Sequence, residues 1–316
     1  MANIVITDRG KLDGIEAIEF LRSAGHEVAV LDTLDAADVA SRAADADALI
    51  ISFARITRDT IAAIPNLKAI ATTSVGVNTI DIEAASERGI TVSNMPSVAS
   101  EEVATHAIGG MLSLVRELRT SYELVEHDEW DYSKIPLPPR LSNLTLGLFG
   151  LGRIARHVAD RADALVADLI AFDPFVPADA WPANIRRAES LDELLEASNI
   201  LSLHAPLTQE TQGIIDDAAL AKLPRGAYLI NVARGELVST QALVSALDSG
   251  QITGAFLDVL DVEPADSTHP LVKHPRTLVT PHAAFRSAQT VSDYFMIPAR
   301  NVCAVLDGQE PLTRVD

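Results

Sequence analysis

The sequence has a single cysteine, Cys303, among 316 residues. This excludes an intrachain disulfide and gives no cysteine-based metal site. Within the apolar pattern of a C-terminal helix, Cys303 reads as a small buried hydrophobe rather than a reactive thiol. No apolar run approaches the roughly 20 residues that cross a bilayer. Residues 1–8 read as an opening strand, with no cationic or cleavable leader. Positive charge is scarce: 25 Lys and Arg stand against 44 Asp and Glu, a net charge of −19. That balance works against non-specific nucleic-acid binding and against attraction to anionic membranes. Low-complexity sequence is missing too. With 48% hydrophobic residues, the chain reads as a soluble cytoplasmic globular protein, long enough for two domains with sizeable cores.

What is there is alternation. Residues 3–8, 27–31, 48–52, 69–73 and 91–93 carry short aliphatic runs of the kind that form buried parallel strands. Helical periodicity falls near 15–24, 36–44, 59–64 and 82–88. After Asn94-Met95-Pro96 the pattern changes. Ser97 or Ser100 is placed to cap one long helix reaching about Val125, with Glu101 and Glu102 in its first turn. A proline-rich loop at 134–139 follows, then a second strand–helix series from Leu144 to His282. The last helix, about residues 290–306, is expected to return to the first domain. The expectation is an α/β protein with two doubly wound parallel-sheet domains and a cleft between them. Residues 1–96 plus 289–316 would form one domain and 97–288 the other.

The second series opens on a nucleotide-binding pattern. An apolar strand, 144–149, runs into Gly150-Leu151-Gly152-Arg153-Ile154-Ala155 and then a helical stretch. Gly150 allows the tight turn, Gly152 lets a pyrophosphate approach the backbone, and Ala155 is small enough for helix–strand packing. Asp173 ends the next strand, at the distance where the fingerprint places an acid on the adenosine ribose hydroxyls. A carboxylate there repels a 2′-phosphate, and Pro174-Phe175-Val176 offers no arginine to receive one. The expected cofactor is therefore NAD rather than NADP. The alternative for Asp173 is a turn residue before Pro174.

Three further residues each lie just beyond an apolar run, where parallel sheets bind ligands. Arg234 follows 227–233, Glu263 lies in the loop after 252–259, and His282 follows 277–281. A guanidinium grips a carboxylate with two hydrogen bonds and polarises a neighbouring keto oxygen. The alternative for Arg234 is a solvent-facing residue at the start of a helix over 236–247, an unfavourable place for a structural cation. Imidazole is the natural proton carrier near neutrality, so His282 is the candidate acid and base. Glu263 is its expected partner, orienting the ring and stabilising its charge, with Asp261 as the competitor. His204 ends a strand and reads as cofactor wall or as structural packing. His269 and His274 read as solvated, and His106 as an interface or core histidine. No cluster has credible metal-ligand spacing. Ser74, Val75 and Gly76, in a small-residue loop after a strand, could receive a substrate carboxylate on backbone N–H groups.

Together these motifs resemble the D-isomer-specific 2-hydroxyacid dehydrogenases over nearly the whole chain. The likeness is carried by residues 74–81, 150–155, 204–208, 231–238, 257–264 and 280–285. It implies a flavodoxin-like substrate domain built from both termini and an inserted Rossmann NAD domain. It also implies a homodimer joined largely through the NAD domain and its long connecting helix. By matching positions it assigns Arg234, Glu263 and His282 to catalysis. Val75 and Gly76 would contact substrate, and Arg153, Ile154, Asp173, Ala233 and Asp258, with the segment holding His204 and Pro206, would contact NAD. His282-Ala283-Ala284-Phe285 and the segment 97–104 are similar to the branch with glyoxylate and hydroxypyruvate reductases and C-terminal-binding-protein corepressors. No appended regulatory domain is expected after His282. The leading expectation is an NAD-dependent reductase of a small 2-keto acid such as glyoxylate, hydroxypyruvate or pyruvate. The alternatives are an NAD-sensing corepressor on the same scaffold, a short-form D-3-phosphoglycerate dehydrogenase, and an oxidase of an inorganic or one-carbon acid such as formate.

Overall fold

Aliphatic runs bounded by turn residues become strands, and short polar residues set where the helices start. The computed structural model describes residues 1–10, 12–95 and 98–315. The chain divides into two compact units, Met1–Ala99 with Arg286–Asp316, and Ser100–Phe285. The expected border at 96/97 and the candidate cap Ser97 lie outside the described residues, as does the last residue of the expected first domain, Asp316.

The first unit is a five-stranded parallel sheet. Its strands are β1 (Asn3–Ile6), β2 (Glu27–Val30), β3 (Ala48–Ile51), β4 (Ala69–Thr72) and β5 (Thr91–Ser93), in the order β2-β1-β3-β4-β5. That is the flavodoxin-like order of a doubly wound sheet. Three crossover helices are capped by side chains: Asp35 accepts from Ala37 and Asp38, Thr57 from Thr60, and Asp81 from Ala84. The C-terminal helix Ala288–Leu306 buries Phe295, Ala299 and Val302 with Ile4, Ile6, Leu21 and Ile50 of this unit. Cys303 packs at the edge of the same cluster, and burial pushes its thiol pKa up.

The second unit holds seven parallel strands: β6 (Thr145–Phe149), β7 (Asp168–Phe172), β8 (Arg186–Arg187), β9 (Ile200–Leu203), β10 (Ala227–Asn231), β11 (Ile252–Leu257) and β12 (Thr277–Val279). Their order is β12-β11-β10-β9-β6-β7-β8. The chain winds from β6 out to β8, then returns to β9 on the other side of β6, so the topological switch lies between β6 and β9. Register sets six strand ends in one lateral row: Val279, Leu257, Asn231, Leu203, Phe149 and Phe172.

Two expected helices differ. The single helix to Val125 is two, Ser100–Val115 and Leu118–Glu126. Glu117 takes a left-handed backbone, φ 54°, and its carboxylate accepts from the Thr120 hydroxyl at 2.8 Å, so the chain turns there. Ser100 is the first residue of its helix rather than its cap. The helix expected from 236 begins at Thr240, where Ser239 caps it. Gly235–Leu237 is a 3-10 turn, because Leu237 and Val238 are drawn into the core and Val238 bridges Ile215. Arg234 therefore precedes a single tight turn, and the argument from an α-helix N-terminus does not apply to it.

The helix Ser100–Val115 packs on β10, β11 and the helix Arg153–Ala162. Its close approach depends on Gly110, where a Cβ would stand 2.2 Å from the Phe256 ring. Alanine is the better helix former by about 1 kcal/mol, but the overlap forces the buried ring to shift, which costs about 1–3 kcal/mol. Gly110→Ala is expected to lower unfolding free energy in denaturant titrations. A variant at least as stable as the parent would contradict this packing.

Candidate active site

The row of strand ends places the candidate loops on one edge of the second unit. After β6, Gly150 turns the chain at φ 90°, and a Cβ there would sit 2.7 Å from the Ala205 amide nitrogen. Only glycine lets these two backbones meet at the switch between β6 and β9. Gly152 caps the helix Arg153–Ala162 without a side-chain bond, that helix has no acid in its first turn, and nothing lies within 4 Å of the position of a Gly152 Cβ. Its first N–H groups are thus open to an anion. Ala155 is fully buried.

Asp173 accepts from the Leu151 amide at 2.8 Å and from the Phe175 amide at 2.9 Å. It is therefore a turn residue and also a strut to the glycine turn, which fixes a half-buried carboxylate beside the helix N-terminus. His204 bonds Ser202 Oγ through Nε2 at 2.8 Å, and its amide donates to the Phe149 carbonyl. Burial lowers its pKa to about 4, so the ring is neutral at pH 7.

The Arg234 loop is built by Asn231, which the sequence reading left unassigned. Its buried side chain accepts from the Ala233 amide at 3.0 Å and donates to the Arg234 carbonyl at 2.9 Å. The exposed guanidinium donates one bond to the Ala233 carbonyl at 2.6 Å. At Gly235 a Cβ would lie 1.9 Å from the Leu260 carbonyl carbon, so this loop rests directly on the backbone of the next one. In that next loop the Leu260 amide donates to Glu263 Oε1 at 2.9 Å, and Glu263 Oε2 lies 2.7 Å from His282 Nδ1. Asp261 bonds His269 Nε2 at 2.9 Å, so Glu263 is the carboxylate on the His282 ring. His269 and His274, expected in solvent, have side chains only 10% exposed, each tied to an aspartate, Asp261 and Asp248.

His282 has a left-handed backbone, φ 51°, which costs an L-residue about 1–2 kcal/mol. Its amide donates to the Asp258 carbonyl at 2.8 Å. The buried Asp258 carboxylate accepts from Thr280 Oγ1 at 2.6 Å, the Ala283 amide at 2.8 Å and the Ala284 amide at 2.9 Å. Burial pushes the Asp258 pKa up, but the bonds from His106, Thr280, Ala283 and Ala284 outweigh it and hold the group below the usual carboxylate value. The resemblance implies an NAD contact for Asp258. The structure gives its carboxylate another occupation, as the anchor of the segment that carries His282.

In the first unit, the loop after β4 is tied by Ser74 Oγ to the Gly76 carbonyl at 2.6 Å and by Asn94 Nδ2 to the Val75 carbonyl at 2.7 Å. Val75 is 60% exposed, and among the described residues no bond uses the Val75 or Gly76 amide. No group of three His, Cys, Asp or Glu side chains among the described residues is arranged to hold a metal. No helix among them is long and apolar enough to cross a membrane.

Residues 108–284, the greater part of the second unit, match the family profile of the D-isomer specific 2-hydroxyacid dehydrogenase NAD binding domain. The chain belongs to the D-isomer specific 2-hydroxyacid dehydrogenases. Its relatives include a glyoxylate reductase of Thermofilum pendens, 38% identical over 84% of this chain and 80% of that protein. They also include a D-3-phosphoglycerate dehydrogenase of Methanocaldococcus jannaschii, 34% identical over 98% of this chain but 58% of that one. Among solved structures, a Thermus thermophilus protein superposes with TM-score 0.89, at 36% identity over 99% of this chain and 100% of the other. D-lactate dehydrogenase of Lactobacillus jensenii, solved with NAD+, gives 0.87 at 26% identity, over 99% of both chains. This dehydrogenase is thus an NAD-dependent oxidoreductase, and both of its sheets have the doubly wound parallel form of the family.

The neutral His204 of the dehydrogenase has a consequence for acid stability. Its pKa is lowered in the fold, so on acidification the unfolded chain takes the proton first. Stability is lost as pH falls from about 6.5 towards 4, by about 3 kcal/mol. His204→Asn should therefore lose less unfolding free energy than the parent between pH 7 and 4.5. Parallel pH–stability curves for the two proteins would show that His204 is not buried neutral.

Proposed function

We propose that this dehydrogenase interconverts a small 2-keto acid of the glyoxylate, hydroxypyruvate or pyruvate type and its D-2-hydroxy acid, with His282 as proton donor and acceptor. The observation that carries the reading is the 2.7 Å bond from His282 Nδ1 to Glu263. It fixes one ring nitrogen against a carboxylate and leaves Nε2 to exchange the proton. NAD, when bound, supplies or accepts the hydride. Gly150 and Gly152, with Arg153 and Ile154 at the open helix N-terminus, hold its pyrophosphate, and Asp173 takes the ribose hydroxyls. His204, Pro206, Ala233 and Asp258 line the same edge.

Arg234 grips the substrate carboxylate and draws charge towards the keto oxygen. Its bond to Ala233 leaves the remaining guanidinium donors for that task. In the first unit, the Val75 and Gly76 amides are assigned to a substrate carboxylate, whereas the Ser74 amide already donates to Thr72 Oγ1 at 3.3 Å. In reduction, the carbonyl carbon gains a hydride while its oxygen takes the proton from His282 Nε2. Glu263 stabilises the imidazolium before transfer and keeps the neutral ring in place afterwards.

We also infer a homodimer, in the cytoplasm. Leu118, Tyr122 and Val125 at 53–66% exposure, followed by Trp130, Tyr132 and Leu137 at 88–97%, give apolar surface suited to a second copy.

A panel of glyoxylate, hydroxypyruvate, pyruvate and the keto acid derived from 3-phosphoglycerate, each with NADH and NADPH, tests the substrate and cofactor together. Turnover should be greatest with an unphosphorylated acid and NADH. Preference for the phosphorylated acid selects the phosphoglycerate activity named for several relatives, and higher kcat/KM with NADPH refutes the role of Asp173. His282→Ala is expected to lower kcat by about 10²–10⁴-fold while NADH binding survives. Near-normal turnover in that variant rules out the proton-carrier role.

A further inference from the structure

We infer that His106, on the helix Ser100–Val115, is a positioning residue for His282, acting through Thr280 and Asp258. The inference rests on the proposed catalytic role of His282 but begins from geometry alone. His106 Nε2 lies 3.0 Å from Thr280 Oγ1 and 3.5 Å from Asp258 Oδ1. Its ring packs on Phe256 at 5.1 Å between centroids.

Hydrogen directions in this group are forced. Asp258 is ionised and only accepts, so the Thr280 hydroxyl donates to it across 2.6 Å. Thr280 Oγ1 then has only lone pairs left for His106, so the imidazole must carry its hydrogen on Nε2. The neutral Nε2–H tautomer and the imidazolium both supply that bond. The Asp258 oxygens, fixed in this way, hold the Ala283 and Ala284 amides just beyond His282, while the Asp258 carbonyl holds the His282 amide. A left-handed residue needs such over-determination to persist. His106 thereby ties the helix to the turn that presents the His282 ring to Glu263.

Among the described residues, His106 bonds or packs on Thr280, Asp258 and Phe256. With the last of these an aromatic ring and the first a hydroxyl, Asp258 is the only formal charge in contact with it among the described bonds. Replacing the imidazole by an apolar side chain leaves Thr280 without a donor and loosens the segment carrying His282, without touching the glycine turn. The expected signature is a loss in kcat with nucleotide affinity retained.

The test compares His106→Leu with His106→Gln, whose amide nitrogen can reach the place of Nε2. His106→Leu is expected to lower kcat at least about tenfold, with the Kd for NADH within about twofold of the parent, and His106→Gln to recover most of that loss. A long-range ¹H–¹⁵N spectrum of imidazole-labelled protein, assigned with the two variants, should show His106 carrying its proton on Nε2. This readout does not depend on turnover. If the parent reduces no 2-keto acid yet His106 shows the Nε2–H form, the functional reading fails and the relay stands. An Nδ1–H tautomer overturns the relay, as does unchanged kcat in His106→Leu or equal damage from Leu and Gln.

Discussion

A carboxylate that is only 2% exposed must be either neutral or saturated with donors, and Asp258 is saturated. Hydroxyl and amide hydrogens from Thr280, Ala283 and Ala284 replace the water it has lost. Those donors belong to the chain on both sides of His282, so satisfying the anion dictates the path of that segment. The left-handed backbone of His282 follows from it: the turn must bring two successive amides back onto one carboxylate. The strain is local and the compensation is local, which is the arrangement expected where a side chain has to be aimed rather than packed.

The neighbouring loops are held by contact between backbones. Gly235 admits the Leu260 carbonyl and Gly150 admits the Ala205 amide, each at a separation no Cβ tolerates. The first contact ties the Arg234 loop to the Glu263 loop. The second closes the turn at the topological switch. Because the six strand ends lie in one row, these contacts need no long connecting loops. The edge is therefore stiff where charged side chains must be oriented, and its shape comes from the sheet register.

How much of this could be read from the sequence depends on what kind of signal carried it. Strands β1 to β5 and the glycine turn were legible because aliphatic runs and turn residues are local signals. Asp173, Arg234, Glu263 and His282 were legible as charged or titratable side chains just past apolar runs. The break at Glu117 was not, since a left-handed glutamate has no local signature and periodicity continues through it. The two-residue strand Arg186–Arg187 lacks any apolar pattern. His269 and His274 sit in polar sequence, yet each ring is largely covered and bonded to an aspartate, Asp261 and Asp248, which local pattern does not show. Asn231 and Thr280 did carry a signal, a polar residue closing an aliphatic run, but only the fold reveals which backbone groups they serve.

The second half of the divided helix raises a question of its own support. Leu118–Glu126 has nine residues and buries none of them, whereas isolated helices of that length are marginal in water. Within the chain it is held at its start by Glu117, which receives the Thr120 and Ser121 hydroxyls, and by Arg119, which donates to the Thr277 carbonyl. These bonds fix where the helix leaves the domain but do not cover Leu118, Tyr122 or Val125. A helix with an apolar stripe and no interior to face is most economically explained by a surface from outside the chain. The proposed contact between two copies rests on that physical deficit more than on the resemblance.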